Sequence, residues 1–324
     1  MQLSTPTGKI PLIAVIGATA TGKSALAIRL AKVLGGEIIS GDSMQVYRGM
    51  DIGTAKPTRE ERSAVPHHLI DIADITEAFS VADFIEKARK ASIDITSRGN
   101  IPVIAGGTGL YIDMLLSGKT LADTKADDTL RIELYEKAEK EGAKALHEYL
   151  EKLDPVSAAA IHPNNIKRVV RAIEIYLTSG RTKTEQDQHS RLTDSIYDYK
   201  VIYLDCSDRK LLYDRINSRV DKMLEQGLEK EASILYRSGL RDTPTASQAI
   251  GYKEFFPYFE QDYSLKEAVD EIKRNTRRYA KRQKTYFNRI PNAFMLDIAT
   301  ESVDGIYCKA LDFIRSEGIA KGGA

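Results

Sequence analysis

Residues 10–16, IPLIAVI, run directly into GATATGKS and then into the helical-period stretch SALAIRLAKVL. A short apolar strand, a glycine-bounded loop and a helix in that order leave few folds open. Gly17, Ala18, Thr19, Ala20, Thr21, Gly22, Lys23 and Ser24 match G-x-x-x-x-G-K-[ST] at every fixed position. Glycines let the backbone turn so that its N–H groups converge on phosphate oxygens at the start of the helix. Lys23 would neutralise the outer phosphates, and the Ser24 hydroxyl would bind Mg²⁺. The pattern points to a held phosphate. It is silent on whether that phosphate is passed on or leaves.

Three further runs read as strands buried on both faces: residues 37–40 (EIIS), 101–105 (IPVIA) and 200–205 (KVIYLD). Helical spacing covers residues 24–34, ended by Gly35-Gly36, and residues 81–98, ended by Gly99-Asn100; another helix follows Ser207. Strand alternating with helix predicts an α/β fold with a mainly parallel sheet. Residues 120–198 differ: they are charged, helical in period and without a strand signal. A loop of that length does not fit a compact domain. The expectation is a core of residues 1–119 and 199–324 carrying a helical insertion, residues 120–198.

The net charge is +1 over 324 residues, so the chain as a whole has no strong field for a polyanion. Any nucleic-acid site has to be a local cluster. The apolar run before the glycine loop is too short to span a bilayer, and the first residues hold no long apolar segment. Cys206 and Cys308 lie far apart without metal-ligand spacing. These features predict a cytoplasmic, membrane-free protein; with no exposed apolar stripe, a monomer is expected.

In α/β sheets ligands sit beyond the carboxyl ends of the strands. The second strand is followed there by Gly41-Asp42-Ser43-Met44-Gln45, so Asp42 falls beside the cradle, as an acid–base or metal-side group or as an N-cap for a following helix. The third is followed by Gly106-Gly107-Thr108-Gly109, which offers a hydroxyl at a close backbone approach or is simply a tight turn. His67-His68 has no metal partner nearby in sequence, and neighbours on an extended chain point opposite ways. A packing or positioning role is expected for the pair.

The blocks GATATGKS, SGDSMQVYRGMDIGTAKP, VPHHLID, GGTGLY, DPVSAAAIHPNNIKRVVRAIEI, RVDKMLEQGLEKE, QAIGYKE and RRYAKRQKTYF together resemble the tRNA dimethylallyltransferases over about nine-tenths of the chain. The resemblance implies a P-loop NTPase-like core. It also implies transfer of a dimethylallyl group from dimethylallyl diphosphate to N6 of the adenosine 3′ of the anticodon, in tRNAs reading codons that begin with U. The cradle would then hold the leaving pyrophosphate. By position, Asp42 resembles the general base, with Thr108 and Lys23 also catalytic, and residues 17–24 with Arg219 resemble the diphosphate site. Asp42, Ser43, Met44, Gln45 and Thr108 resemble groups that meet the flipped adenosine and its neighbours; Arg131 and Arg168 resemble contacts to the tRNA anticodon arm. Departures are Ala18 and Thr21 in the cradle, Asn165 where an acid is usual, and Tyr286 where tryptophan is commoner.

Residues 273–289, KRNTRRYAKRQKTYFNR, carry eight Lys or Arg and no acid. Arg274, Arg277, Arg278, Lys281 and Arg282 recur at helical spacing, interleaved with Tyr279, Tyr286 and Phe287, as suits phosphates and stacked bases. A solvated charged face over a buried aromatic one is the other reading. Lys167, Arg168 and Arg171 form a second cluster. Lys281 and Arg282 are expected on RNA, away from the cradle. Two other functions share the cradle: an adenylate isopentenyltransferase acting on free adenine nucleotides, and a phosphoryl-transfer kinase.

Overall fold

A computed structural model describes residues 8–118, 127–185 and 195–319. Its contacts divide the chain into two compact units, Met1–Leu116 with Ile196–Ala324, and Ser117–Ser195.

The first unit is built on six parallel strands in the order β3-β2-β4-β1-β5-β6. They are β1 (Ile10–Gly17), β2 (Gly36–Ser40), β3 (His67–His68), β4 (Ile101–Gly106), β5 (Tyr197–Asp205) and β6 (Phe294–Asp297). β1 lies near the centre, with Val15 opposite Ala105 on one side and Ile202 on the other. Its residues 11–17 are all buried, which is why the sequence shows an unbroken apolar run and no alternation. Helix α1 (Lys23–Leu34) packs Leu26, Ala27, Leu30 and Ala31 into the same core as Ile13, Val15 and Ile202.

β3 and β6 are the strands that sequence pattern does not reveal. Both are edge strands, of two and four residues, so neither supplies a long apolar run. β5 begins three residues before the expected start, because Tyr197 to Tyr199 continue the ladder along Ile10 to Leu12. His67 and His68 lie on β3, where His68 Nε2 stands 2.7 Å from a carboxylate oxygen of buried Glu37. That is a structural bond at the sheet edge.

The remaining helices of this unit are α2 (Arg59–Ala64), α3 (Val81–Ser97), α4 (Gly109–Ser117), α9 (Arg209–Glu225), α10 (Leu228–Arg237), α11 (Phe256–Phe259), α12 (Leu265–Phe287) and α13 (Val303–Ser316). α12 is the basic helix. A capping box sets its start, with the Ser264 side chain accepting from Glu267 N and Glu267 reaching back.

The second unit is helical among its described residues: α5 (Asp128–Glu141), α6 (Ala143–Leu153), α7 (Pro155–Ala160) and α8 (Ile166–Ser179). Leu134, Leu146, Leu150, Val169 and Ile173 form its own core. Among the described residues, no helix of the chain is long and apolar enough to cross a membrane.

Candidate active site

The phosphate loop leaves β1 at Gly17, whose φ is +156° and where an added Cβ would lie 2.5 Å from Leu204 O. Only glycine lets the loop pass that close to β5. Thr21 is buried and its hydroxyl donates to Ala18 O at 2.8 Å, so that side chain shapes the loop. Lys23 Nζ donates to the same carbonyl at 3.2 Å. The backbone N–H of Thr19 points to Gln283 Oε1 at 2.8 Å, which removes it from the donors expected to meet phosphate.

A cavity of about 260 Å³ opens beside this loop, lined by Thr19, Lys23, Ser24, Asp42, Arg219, Tyr279 and Gln283 among others. Burial lowers the Lys23 ammonium to about 8; repulsion from Arg219 adds to this and Asp42 opposes it. Burial likewise lowers Arg219, again opposed by Asp42. Two cations thus face one carboxylate. A multiply charged anion in the cavity would favour the charged form of both. Val220, Met223, Ile250 and Ile272 supply an apolar stretch of the same wall.

No helix follows Asp42, so the N-cap reading falls. Its Oδ1 accepts from Met44 N at 2.9 Å, and the carboxylate lines the cavity. Thr108 joins the two strand-end loops: its hydroxyl accepts from Ser43 N at 3.0 Å and donates to Ser43 Oγ at 3.3 Å. Gln45 is fixed at both ends, accepting from Ser40 Oγ at 2.8 Å and donating to the carbonyls of Thr54 and Ala55 at 3.2 and 3.3 Å. Ser43, Met44 and Gln45 also line the cavity.

The basic helix corrects two expectations. It lies against the cradle, with Gln283 Nε2 donating to Gly107 O at 2.9 Å, Tyr279 OH to the same oxygen at 3.3 Å, and Arg282 on the cavity wall. Of its three aromatics, Tyr286 and Phe287 are engaged within the protein, and Tyr279 lines the cavity. Phe287 is fully buried, and Tyr286 OH donates to Asp113 at 3.0 Å. Much of its charge is spent within the protein: Lys273 pairs with Asp221 at 2.5 Å, Lys284 with Asp205 at 3.0 Å, Arg274 with Glu271, and Arg277 donates to Asn217 at 2.7 Å. Lys281 and Arg282 are exposed, the Arg282 guanidinium 5.6 Å from the Tyr279 ring centroid. Sequence reasoning missed Tyr279 and Gln283 as site residues. Their i, i+4 spacing within RRYAKRQ was the available signal, since it puts both on one helix face.

In the second unit Arg131 Nε lies 3.0 Å and Arg171 Nη1 2.7 Å from the carboxylate of Glu174, which is fully buried. Burial alone would raise Glu174, but bonds from Arg171, Asp127 N and Arg131 lower it instead. Arg131 therefore ties α5 to α8, and Arg171 pairs with Glu174 within α8, contrary to a purely RNA-facing role for either. Lys167 and Arg168, in the first turn of α8, are exposed.

The sheet order, the cradle and the cavity beyond the strand ends define a P-loop-like protein with a helical insertion. Residues 45–290 match the family model described as IPP transferase. A tRNA dimethylallyltransferase of Halalkalibacterium halodurans is 50% identical over 306 residues, 94% of this chain and 97% of that protein. Among solved structures, the full-length tRNA isopentenylpyrophosphate transferase of Bacillus halodurans has a TM-score of 0.72 at 47% identity, covering 95% of this chain and 97% of its own. A eukaryotic dimethylallyltransferase acting on tRNA has a TM-score of 0.80 at 29% identity, covering 97% and 81%. The chain belongs to the IPP transferase family, whose curated relatives at this similarity are tRNA dimethylallyltransferases.

Proposed function

We propose that this protein transfers a dimethylallyl group from dimethylallyl diphosphate to N6 of the adenosine 3′ of the anticodon in tRNAs reading UNN codons, releasing pyrophosphate. The observation that carries the reading is one cavity holding Lys23 and Arg219, the Asp42 carboxylate and an apolar stretch. The N6 lone pair forms the new N–C bond. The allylic C–O bond breaks with its electrons leaving on the diphosphate, and the N6 proton passes to Asp42. A base so placed is worth roughly 10²–10⁴-fold in rate. Lys23, Arg219 and the loop N–H groups other than that of Thr19 stabilise the departing charge. The apolar stretch of Val220, Met223, Ile250 and Ile272 disfavours attack by water on the allylic carbon. Ser24, in the first turn of α1 and on the cavity wall, suits Mg²⁺, which takes one or two protein oxygens beside phosphate oxygens and waters. When bound, the ion would add neutralising charge at the diphosphate.

For the tRNA, the exposed Lys167, Arg168, Lys281 and Arg282 are the proposed phosphate contacts, and Asp42 to Gln45 on the cavity wall, with Thr108 bonded to Ser43 behind them, the contacts of the extruded adenosine. The test is to mix the protein, Mg²⁺ and dimethylallyl diphosphate with a UNN-reading tRNA or with AMP, ADP or ATP, and weigh the products. A mass gain on the tRNA alone supports the proposal. A gain only on free nucleotide would make the protein an adenylate isopentenyltransferase, and phosphate release from ATP would make it a kinase.

A further inference from the structure

Two acids and a tyrosine lie behind the cavity wall without lining it. Glu231 on α10 accepts from Ile52 N at 2.9 and 3.0 Å, from Gly53 N at 3.2 Å and from Tyr252 OH at 2.6 Å. Tyr252 is fully buried, and its hydroxyl oxygen also accepts from Gly53 N at 3.1 Å. Gly53 lies flat on that ring, since a Cβ there would come within 2.5 Å of it. Buried Glu254 repeats the device, accepting from Gly251 N at 2.8 Å and from Asn275 on α12 at 3.0 Å.

Each brace ends on the cavity. Gly53, Thr54 and Ala55 line it, as does Gly251, whereas Glu231, Tyr252 and Glu254 do not. The carbonyls of Thr54 and Ala55 in turn hold the Gln45 amide, three residues from Asp42. A carboxylate accepting several N–H and O–H donors is a stiff anchor, because every lone pair is directed.

We infer that Glu231 and Tyr252 are positioning residues for the transfer reaction, fixing residues 52–55 and through them Gln45, and so setting the acceptor side of the cavity. The inference rests on the transfer activity proposed above. The phosphate loop is held separately, by Gln283 and the Thr21 hydroxyl. Loss of the brace therefore loosens acceptor alignment and leaves the anion site intact.

The test compares wild type with Tyr252→Phe, which keeps the ring that Gly53 rests on, and with Glu231→Gln, which keeps the volume. Active sites are counted by binding of inorganic pyrophosphate, so unfolded protein does not enter the rate. At saturating substrates Tyr252→Phe should lower kcat about tenfold, since small misalignments of reacting groups carry costs of that order. The pyrophosphate Kd should stay within about twofold. In a Gln45→Ala background the same substitution should lower kcat much less, because both act through one contact. An unchanged kcat per site, a parallel loss of pyrophosphate affinity, or full additivity with Gln45→Ala would overturn the inference. Wild type that transfers nothing to tRNA would overturn the functional reading and this inference with it; normal wild-type transfer with an unaffected Tyr252→Phe would overturn this inference alone.

Discussion

Gln283, on the basic helix, accepts a 2.8 Å hydrogen bond from the backbone N–H of Thr19 in the phosphate loop. Its amide nitrogen donates to Gly107 O at 2.9 Å, so one buried side chain ties the loops after β1 and β4 to α12. Gln283→Ala leaves two backbone groups without this partner, which should cost about 1–3 kcal/mol. Urea unfolding measures that loss, and calorimetry should show weaker pyrophosphate binding beside it. A stable variant with unaltered binding would mean that the loop holds its shape alone.

Asp42→Asn keeps the oxygen that accepts from Met44 N, so the loop should stay in place. The amide cannot take the N6 proton. Single-turnover transfer should fall by about 10²-fold or more while tRNA affinity holds. A near-normal rate would remove Asp42 from the base role.

Surface cations on the two units should behave differently. Lys167 and Arg168 are exposed and absent from the cavity, so changing both to alanine should weaken tRNA binding without altering pyrophosphate binding. If they meet phosphates, the salt dependence should flatten by about one to two units, at roughly 0.7 per contact on single strands. Arg282→Ala should weaken both ligands, because Arg282 stands on the cavity wall. Binding titrations over a range of salt separate the two cases, and an unchanged slope for the Lys167/Arg168 pair would place the RNA elsewhere.

Glu37 should contribute an acid-side loss of stability. Burial works against its charge, but bonds from Arg98, His68 and Asn100 outweigh it and bring its pKa down to about 2, from 4.5. A folded value below the unfolded one gives stability that is present above pH 4.5 and lost as pH falls toward 2. The shift corresponds to on the order of 3 kcal/mol. Unfolding midpoints at pH 6 and pH 3 should therefore diverge more for wild type than for Glu37→Gln. Equal losses in the two proteins would assign the acid sensitivity to other carboxylates.

Local spacing by itself determined the strand–loop–helix of residues 10–34, the other long strands, the helical texture of the insertion and the place of Asp42 and Thr108. Each depends on a short-range rule: unbroken apolar runs for strands covered on both faces, and strand ends that deliver their loops to one edge. Edge strands β3 and β6 escaped because two to four residues carry too little pattern. Which face a helix turns inward was decided only by tertiary packing. The stripe on α12 reads as one basic surface, yet folding turns Gln283 and Tyr279 onto the cradle and gives Lys273 and Lys284 acidic partners far away in the chain. The same holds for Arg131 on α5, which the buried Glu174 of α8 claims across the helix pair. A charged residue's partner depends on what packs across from it, and spacing along the chain does not carry that information.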